Sequence, residues 1–144
     1  MADLKLKPEE ILALQQMVHG EGAGTDIDTR KMIAQSAISR LTSGRKKEFG
    51  GTISDVLKKG YYAVKNPNTP YKQAVSGKFL DTPSKVSWGE TKKIVEAVLG
   101  DKDYGKHQFY FTDPEITKLK KNKGFDFSKV KSQGQVGDYK LFGY

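Results

Sequence analysis

Two stretches of helical period open this chain, separated by the break His19-Gly-Glu-Gly-Ala-Gly24 with its three glycines, and they set the kind of core it can build. In the first, Ile11, Leu14 and Val18 fall on one face, with Leu12 and Met17 beside them. Pro8 suits a first helical turn, Glu9 and Glu10 complement the positive end of the helix dipole, and Gly20 supplies a stop. A helix is expected from Lys7 or Pro8 to about His19. In the second stretch Ile33, Ala37 and Leu41 recur every four residues with Ala34 and Ile38 alongside, which predicts a helix from about Asp28 to Thr42. Both stripes need a core to face, so a mainly helical domain is the expectation.

The later chain adds shorter elements. Thr52-Ile-Ser-Asp55 has the form of a capping box opening a short helix through Leu57, with Gly60 as its stop. From Gly60 to Lys85 the chain carries Pro67, Pro70 and Pro83 and little helical period beyond Tyr71 to Val75. A long connection is expected there, and such connections in compact domains are often functional. Ser87-Trp-Gly-Glu90 is a second capping box, predicting a helix to Leu99 with Thr91, Ile94, Val95 and Val98 inward and Gly100 as the stop. His107 to Phe111 reads as a strand, and Asp113-Pro114 opens a helical turn through about Leu119. The tail from Val136 has a Gly-Asp turn signal and an alternating apolar pattern that would pair with the earlier strand. The expected class is α+β, mainly helical, with a small late β-hairpin. No repeat, linker or low-complexity tract divides residues 1–144, so one domain is expected.

Composition narrows the chemistry. A chain of 144 residues buries roughly 70% of the surface it exposes when unfolded, enough for a real core. No apolar run approaches the ~20 residues of a membrane helix, and no membrane span is expected. The opening MADLKLKPEE turns acidic before an apolar segment develops, so no secretory signal is read and delivery by other means is expected. There is no cysteine, and His19 and His107 are the only histidines, so disulfides are excluded and neither a metal nor a cofactor is expected. Net charge is 25 − 17 = +8. The excess concentrates at Lys118, Lys120, Lys121, Lys123, Lys129 and Lys131, against the single acid Asp126. Such a cluster suits a polyanion, whether nucleic acid, bacterial wall polymer or an anionic membrane surface, or else forms a solvated basic face.

The glycine-rich break is the chain's most specific chemical signal. A dinucleotide loop follows a strand and keeps G-x-G-x-x-G spacing, whereas this loop follows a helix and its last glycine comes one residue early. His19 and Glu21 are two apart, which on a helix turns them to different faces, so metal ligation is not suggested. Glu21 is either a solvated loop acid or something more. A helix C-terminus disfavours a carboxylate, because its unpaired carbonyls carry negative charge. That field, joined by any apolar neighbours, would favour the protonated acid that glycoside cleavage requires.

From here the sequence resembles the bacterial cell-wall hydrolases that include the spore-cortex-lytic enzymes. Their signature has a helix ending in Gly-Glu-Ala-Arg-Gly-Glu and then a helix closing on Asn-Arg; "HGEGAGTDIDTRKMIAQSAISRL" follows that order, with Ser39-Arg40 in the place of Asn-Arg. The family's later aromatic segment resembles "YYAVKN", Tyr61 to Asn66. Its next block resembles "ETKKIVEAVLGDKDYGKHQFYF", Glu90 to Phe111, and its closing Ile-Gly-x-x-x-Phe resembles "VGDYKLF", Val136 to Phe142. The four blocks span about Leu12 to Phe142 in the family's order.

The resemblance implies a lysozyme-like, transglycosylase-type fold that cleaves the β-1,4 bond between N-acetylmuramic acid and N-acetylglucosamine in peptidoglycan glycan strands. The family's catalytic acid falls on Glu21, and its second Glu falls on Thr25, a departure that removes one carboxylate while Asp26 and Asp28 follow nearby. A single placed acid favours a lytic transglycosylase over a hydrolytic muramidase, because a hydrolase needs a second carboxylate. Tyr61, Tyr62, Tyr110 and Phe111 are candidate groove-lining residues, since aromatic faces suit the apolar faces of sugars; core packing is the competing reading for each. Trp88 and His107 are expected to be structural. A phage-type or virion-associated lysin acting on the cell wall would fit the charge and the lack of a readable signal, with anionic wall polymer as a further contact. The alternative is a basic, non-catalytic nucleic-acid-binding or wall-binding protein, although no recognition helix or RNA-binding aromatic motif is visible.

Overall fold

The computed structural model describes residues 4–144; the first three residues of the N-terminal segment read above for a signal lie outside the described residues. The chain is mainly helical, with a small antiparallel sheet late in the sequence. Helix α1 spans Pro8–Gly22 and α2 spans Ile27–Thr42. Four shorter helices follow: α3 (Lys46–Phe49), α4 (Ile53–Gly60), α5 (Tyr62–Lys65) and α6 (Thr69–Ser76). The long α7 (Thr82–Gly100) leads to strand β1 (Phe109–Phe111), then α8 (Asp113–Asn122), and the hairpin of β2 (Lys131–Val136) and β3 (Tyr139–Gly143). None of the described helices is long and apolar enough to cross a membrane.

Caps explain most of the boundaries. Asp26 accepts the Thr29 N–H at 2.8 Å and starts α2; Thr52 accepts the Asp55 N–H at 3.2 Å and starts α4. Several boundaries differ from the sequence expectation: β1 begins at Phe109 and not His107, and α8 runs on past Leu119 to Asn122. Helix α1 runs on through Gly20 to Gly22, which places Glu21 inside its last turn. Helix α7 starts before Ser87, because Asp81 accepts the Ser84 N–H at 2.8 Å and Pro83 sits in the first turn. The segment from Gly60 to Lys85 is not an open connection, since it holds α5, α6 and the first turn of α7. Asn68 caps α6, accepting the Tyr71 N–H at 3.0 Å, and Pro70 again occupies the first turn.

The core joins Leu14, Met17 and Val18 of α1 to Met32, Ile33, Ala37 and Ile38 of α2, with Val56 of α4 and Val95 and Val98 of α7 closing it. Most of these belong to the stripes that the periodicity picks out; Met32 and Val56 are additions, while Ile11 and Leu41 of those stripes are only partly buried. The sheet order is β1-β3-β2, with Tyr110 opposite Leu141 and a bulge between Ser132 and Gly134. Leu141 of the central strand reaches the main core. The other face of the sheet carries a second, aromatic cluster of Phe109, Phe111, Phe125, Phe127 and Phe142.

Candidate active site

Glu21 projects from the last turn of α1, half-buried. The Ala63 N–H, in α5, donates to Glu21 Oε1 at 2.9 Å, while no donor among the described residues reaches Oε2. One carboxyl oxygen is therefore fixed and the other is open. The supports lie in the proline-bearing segment. Asn68 Nδ2 donates to the Gly20 carbonyl at 2.7 Å, using a C-terminal carbonyl that the helix leaves without an internal partner, while its Oδ1 caps α6. Gly20 and Gly22 make this closeness possible: a Cβ on Gly20 would stand 2.8 Å from Ala63 Cβ, and one on Gly22 would stand 3.0 Å from the Arg30 stem. The chain turns away at Gly24, whose φ of +84° favours glycine.

The aromatic candidates separate into different environments. Tyr61 is buried, its hydroxyl sharing a 2.6 Å hydrogen bond with Ser36 Oγ and the Arg40 guanidinium lying 4.8 Å over its ring. Tyr110 is half-buried, on the face of β1 opposite Phe109 and Phe111, and its ring meets Tyr139 edge-on at 5.5 Å. Burial pushes its phenol well above the usual value, and the facing Tyr61 and Glu21 push the same way. Tyr62 is 73% exposed, one residue before the N–H that holds Glu21. Phe111 is brought together with Phe125, Phe127 and Phe142 in the aromatic cluster, not with Tyr110.

Strand β1 is held by the second half of α2. Gln108 Nε2 donates to Ser39 Oγ at 2.7 Å, and Arg40 Nε donates to the Gln108 carbonyl at 2.7 Å. The buried His107 lies with Nε2 2.8 Å from the Met32 carbonyl, and burial holds its pKa below the ordinary value. The pair Ser39-Arg40 therefore serves to position the strand that carries Tyr110.

On the other side of α1 lies a polar core that the sequence pattern did not reveal. His19 Nδ1 and Arg30 Nη1 converge on Thr91 Oγ1 at 3.0 and 3.1 Å, and Arg30 also donates to the Ser87 carbonyl at 3.3 Å. Trp88 meets the His19 ring edge-on at 5.3 Å. Burial, then the Arg30 charge, lowers the His19 pKa to about 4. This hub fastens the helix end that bears Glu21 to α7. Arg30 and Thr91 stand 61 positions apart in sequence, so no local pattern announces their meeting. The only signal was Thr91 itself, a polar residue at an inward-facing position of its helix.

Two clefts lie along the chain after Glu21, and Glu21 itself lines neither. One, about 310 Å³, is lined by Ala23, Gly24, Pro70 and Pro83 together with His19 and Ser87. The other, about 360 Å³, lies between Asp26, Asp28 and Lys31 and the turn at Gln135 to Gly137. Asp26 is committed to its cap, and the Thr29 hydrogen bonds hold its carboxyl below the usual range. Thr25 donates its hydroxyl to the Gly22 carbonyl at 2.6 Å, closing the turn. Among the described residues no group of three or more His, Cys, Asp or Glu side chains is placed to hold a metal ion. Comparison with protein-family models, curated proteins and solved structures returns no match. What the site can do rests on its own chemistry: a fixed, half-buried carboxyl with one free oxygen can donate a proton to a bound group and take one back.

Proposed function

We propose that this protein cleaves the β-1,4 bond between N-acetylmuramic acid and N-acetylglucosamine in peptidoglycan, with Glu21 as its catalytic acid and base, on a lysozyme-like architecture. The observation that carries the reading is the Glu21 carboxyl, anchored through Oε1 by the Ala63 N–H at 2.9 Å and open at Oε2. The order of the four sequence blocks supports it. So does the presence of Tyr62, exposed beside the anchor, as a surface for the apolar face of a sugar.

Glu21 first protonates the glycosidic oxygen as the bond to C1 breaks. As a carboxylate it then takes the proton of the muramic 6-hydroxyl, and O6 closes on C1 to give a 1,6-anhydro ring. One carboxyl completes both transfers, so no water and no second acid is consumed. This favours the lytic transglycosylase outcome, with Asp26 occupied by its cap.

Purified protein and Glu21→Gln are incubated with sacculi, and the released fragments are analysed by mass spectrometry. Glutamine keeps an oxygen for the Ala63 N–H but cannot transfer the proton. The expected result is anhydro-muropeptides from the native chain and none from the variant. Reducing ends would replace the transglycosylase step with hydrolysis. Equal release by Glu21→Gln overturns the role of Glu21.

A further inference from the structure

The lysines between Lys118 and Lys131 take no part in the site just described. All six are exposed, spread over the end of α8, the turn after it and the start of β2. Of the acids in the same stretch, only Asp126 meets one of these lysines. Asp113 pairs with Lys140 at 2.8 Å, Glu115 accepts the Thr112 N–H at 2.9 Å, and Asp126 caps Ser128 and lies 4.0 Å from Lys129. Lys118, Lys120, Lys121, Lys123 and Lys131 have no carboxylate partner among the described residues. Helix α8 buries no residue, so its basic surface stays presented to solvent. Lys123 even takes the left-handed conformation at the C-cap, φ 54°, where glycine or asparagine is the ordinary choice.

The chemistry of this face favours one kind of polyanion. It contains lysine and no arginine, with Lys120 over the Phe127 ring at 5.6 Å, so it offers point charges without the planar fork that reads bases or grips one phosphate bidentately. Its phenylalanines, Phe125 and Phe127, contact each other edge-on at 4.8 Å within the sheet-facing cluster, an arrangement unlike a platform for stacking bases. We propose that the α8 face docks a flexible, phosphate-bearing anionic polymer of the bacterial wall. The choice of partner rests on the peptidoglycan reading above. Ammonium point charges suit a chain whose phosphates hold no fixed register, and the contact works by charge neutralisation with release of counterions.

The test uses the full chain carrying Glu21→Gln, so that the walls are not consumed. Its co-sedimentation is measured with sacculi that retain their phosphate polymer and with sacculi stripped of it, at low and high salt. The expected result is about tenfold tighter binding to the polymer-bearing walls at low salt, lost at high salt. Adding K118Q, K120Q, K121Q and K123Q removes the difference, while Arg at the same four positions keeps it; the Arg set shows that loss in the Gln set comes from charge and not from misfolding. Equal binding to both wall preparations overturns the proposal. So does a Gln set that keeps the difference, or tighter binding to duplex DNA than to polymer-bearing walls at the same salt. Absence of glycan cleavage by the native chain with this difference intact would sink only the catalytic reading, and cleavage by the native chain without the difference would sink only the docking face.

Discussion

Replacing Gly20 with alanine tests whether the packing of α1 against α5 and α6 holds the candidate acid. The new Cβ would stand 2.8 Å from Ala63 Cβ and 2.9 Å from Tyr71 Cβ, both one bond from backbone. Carbon atoms pack best at about 3.5–4.0 Å, so the two helices must retreat by roughly 1 Å. Ala63 cannot retreat without stretching its N–H contact to Glu21 Oε1, now 2.9 Å. Alanine gains about 1 kcal/mol over glycine inside a helix, whereas overpacking costs about 1–3 kcal/mol and a lost hydrogen bond about 1 kcal/mol. The expected net is a loss of about 2 kcal/mol, a fall of roughly 4–8 °C in Tm for a chain of this size. Gly89→Ala is the control: Gly89 lies inside α7 with nothing within 4 Å of where its Cβ would stand, so the same substitution should stabilise by up to about 1 kcal/mol. Thermal melts followed by circular dichroism give the stabilities, and fragment release from sacculi gives the activity, expected to fall about tenfold or more for Gly20→Ala. A Gly20→Ala protein that melts at or above the native temperature refutes the packing argument. One that is destabilised but cleaves at the native rate refutes the link to Glu21.

The buried His19 should make stability depend on acid. Its folded pKa, about 4, lies below the ordinary 6.5, so the unfolded chain binds the proton first as pH falls. Stability is full above about pH 6.5 and declines toward pH 4, by on the order of 3 kcal/mol, and His107 acts in the same direction. Urea melts across that window should show the slope, and His19→Gln should flatten it; an unchanged slope counts against the assignment. The two adjacent tyrosines should part company. Tyr61→Phe loses the Ser36 hydrogen bond and about 1 kcal/mol of stability, while Tyr62→Ala leaves Tm within about 1–2 °C and raises KM on glycan strands. Steady-state kinetics beside melts separate them, and a Tyr62→Ala protein with native KM would remove Tyr62 from the sugar surface.

Much of the local structure was legible because it depends on neighbours in sequence. The stripes of Ile33, Ala37 and Leu41, the cap at Thr52 and the turn at Gly137-Asp138 each carry their cause within a few residues. Capping chemistry is degenerate, however. Asp81 and Ser87 both head acceptable capping patterns, and α7 begins at the earlier one, with Trp88 and Thr91 buried along its inner face. Gly20 similarly looks like a stop, yet it is an interior position kept small for Ala63 and Tyr71.

The sequence by itself marked Glu21 as an acid in an unusual place and marked the lysine-rich face, because composition and spacing are local quantities. Only the tertiary structure decided that Ala63 and Asn68 hold the end of α1, and that His19 and Arg30 meet at Thr91. Those contacts join residues 42 to 72 positions apart. Their geometry follows from how the helices pack, and packing is a property of the whole chain.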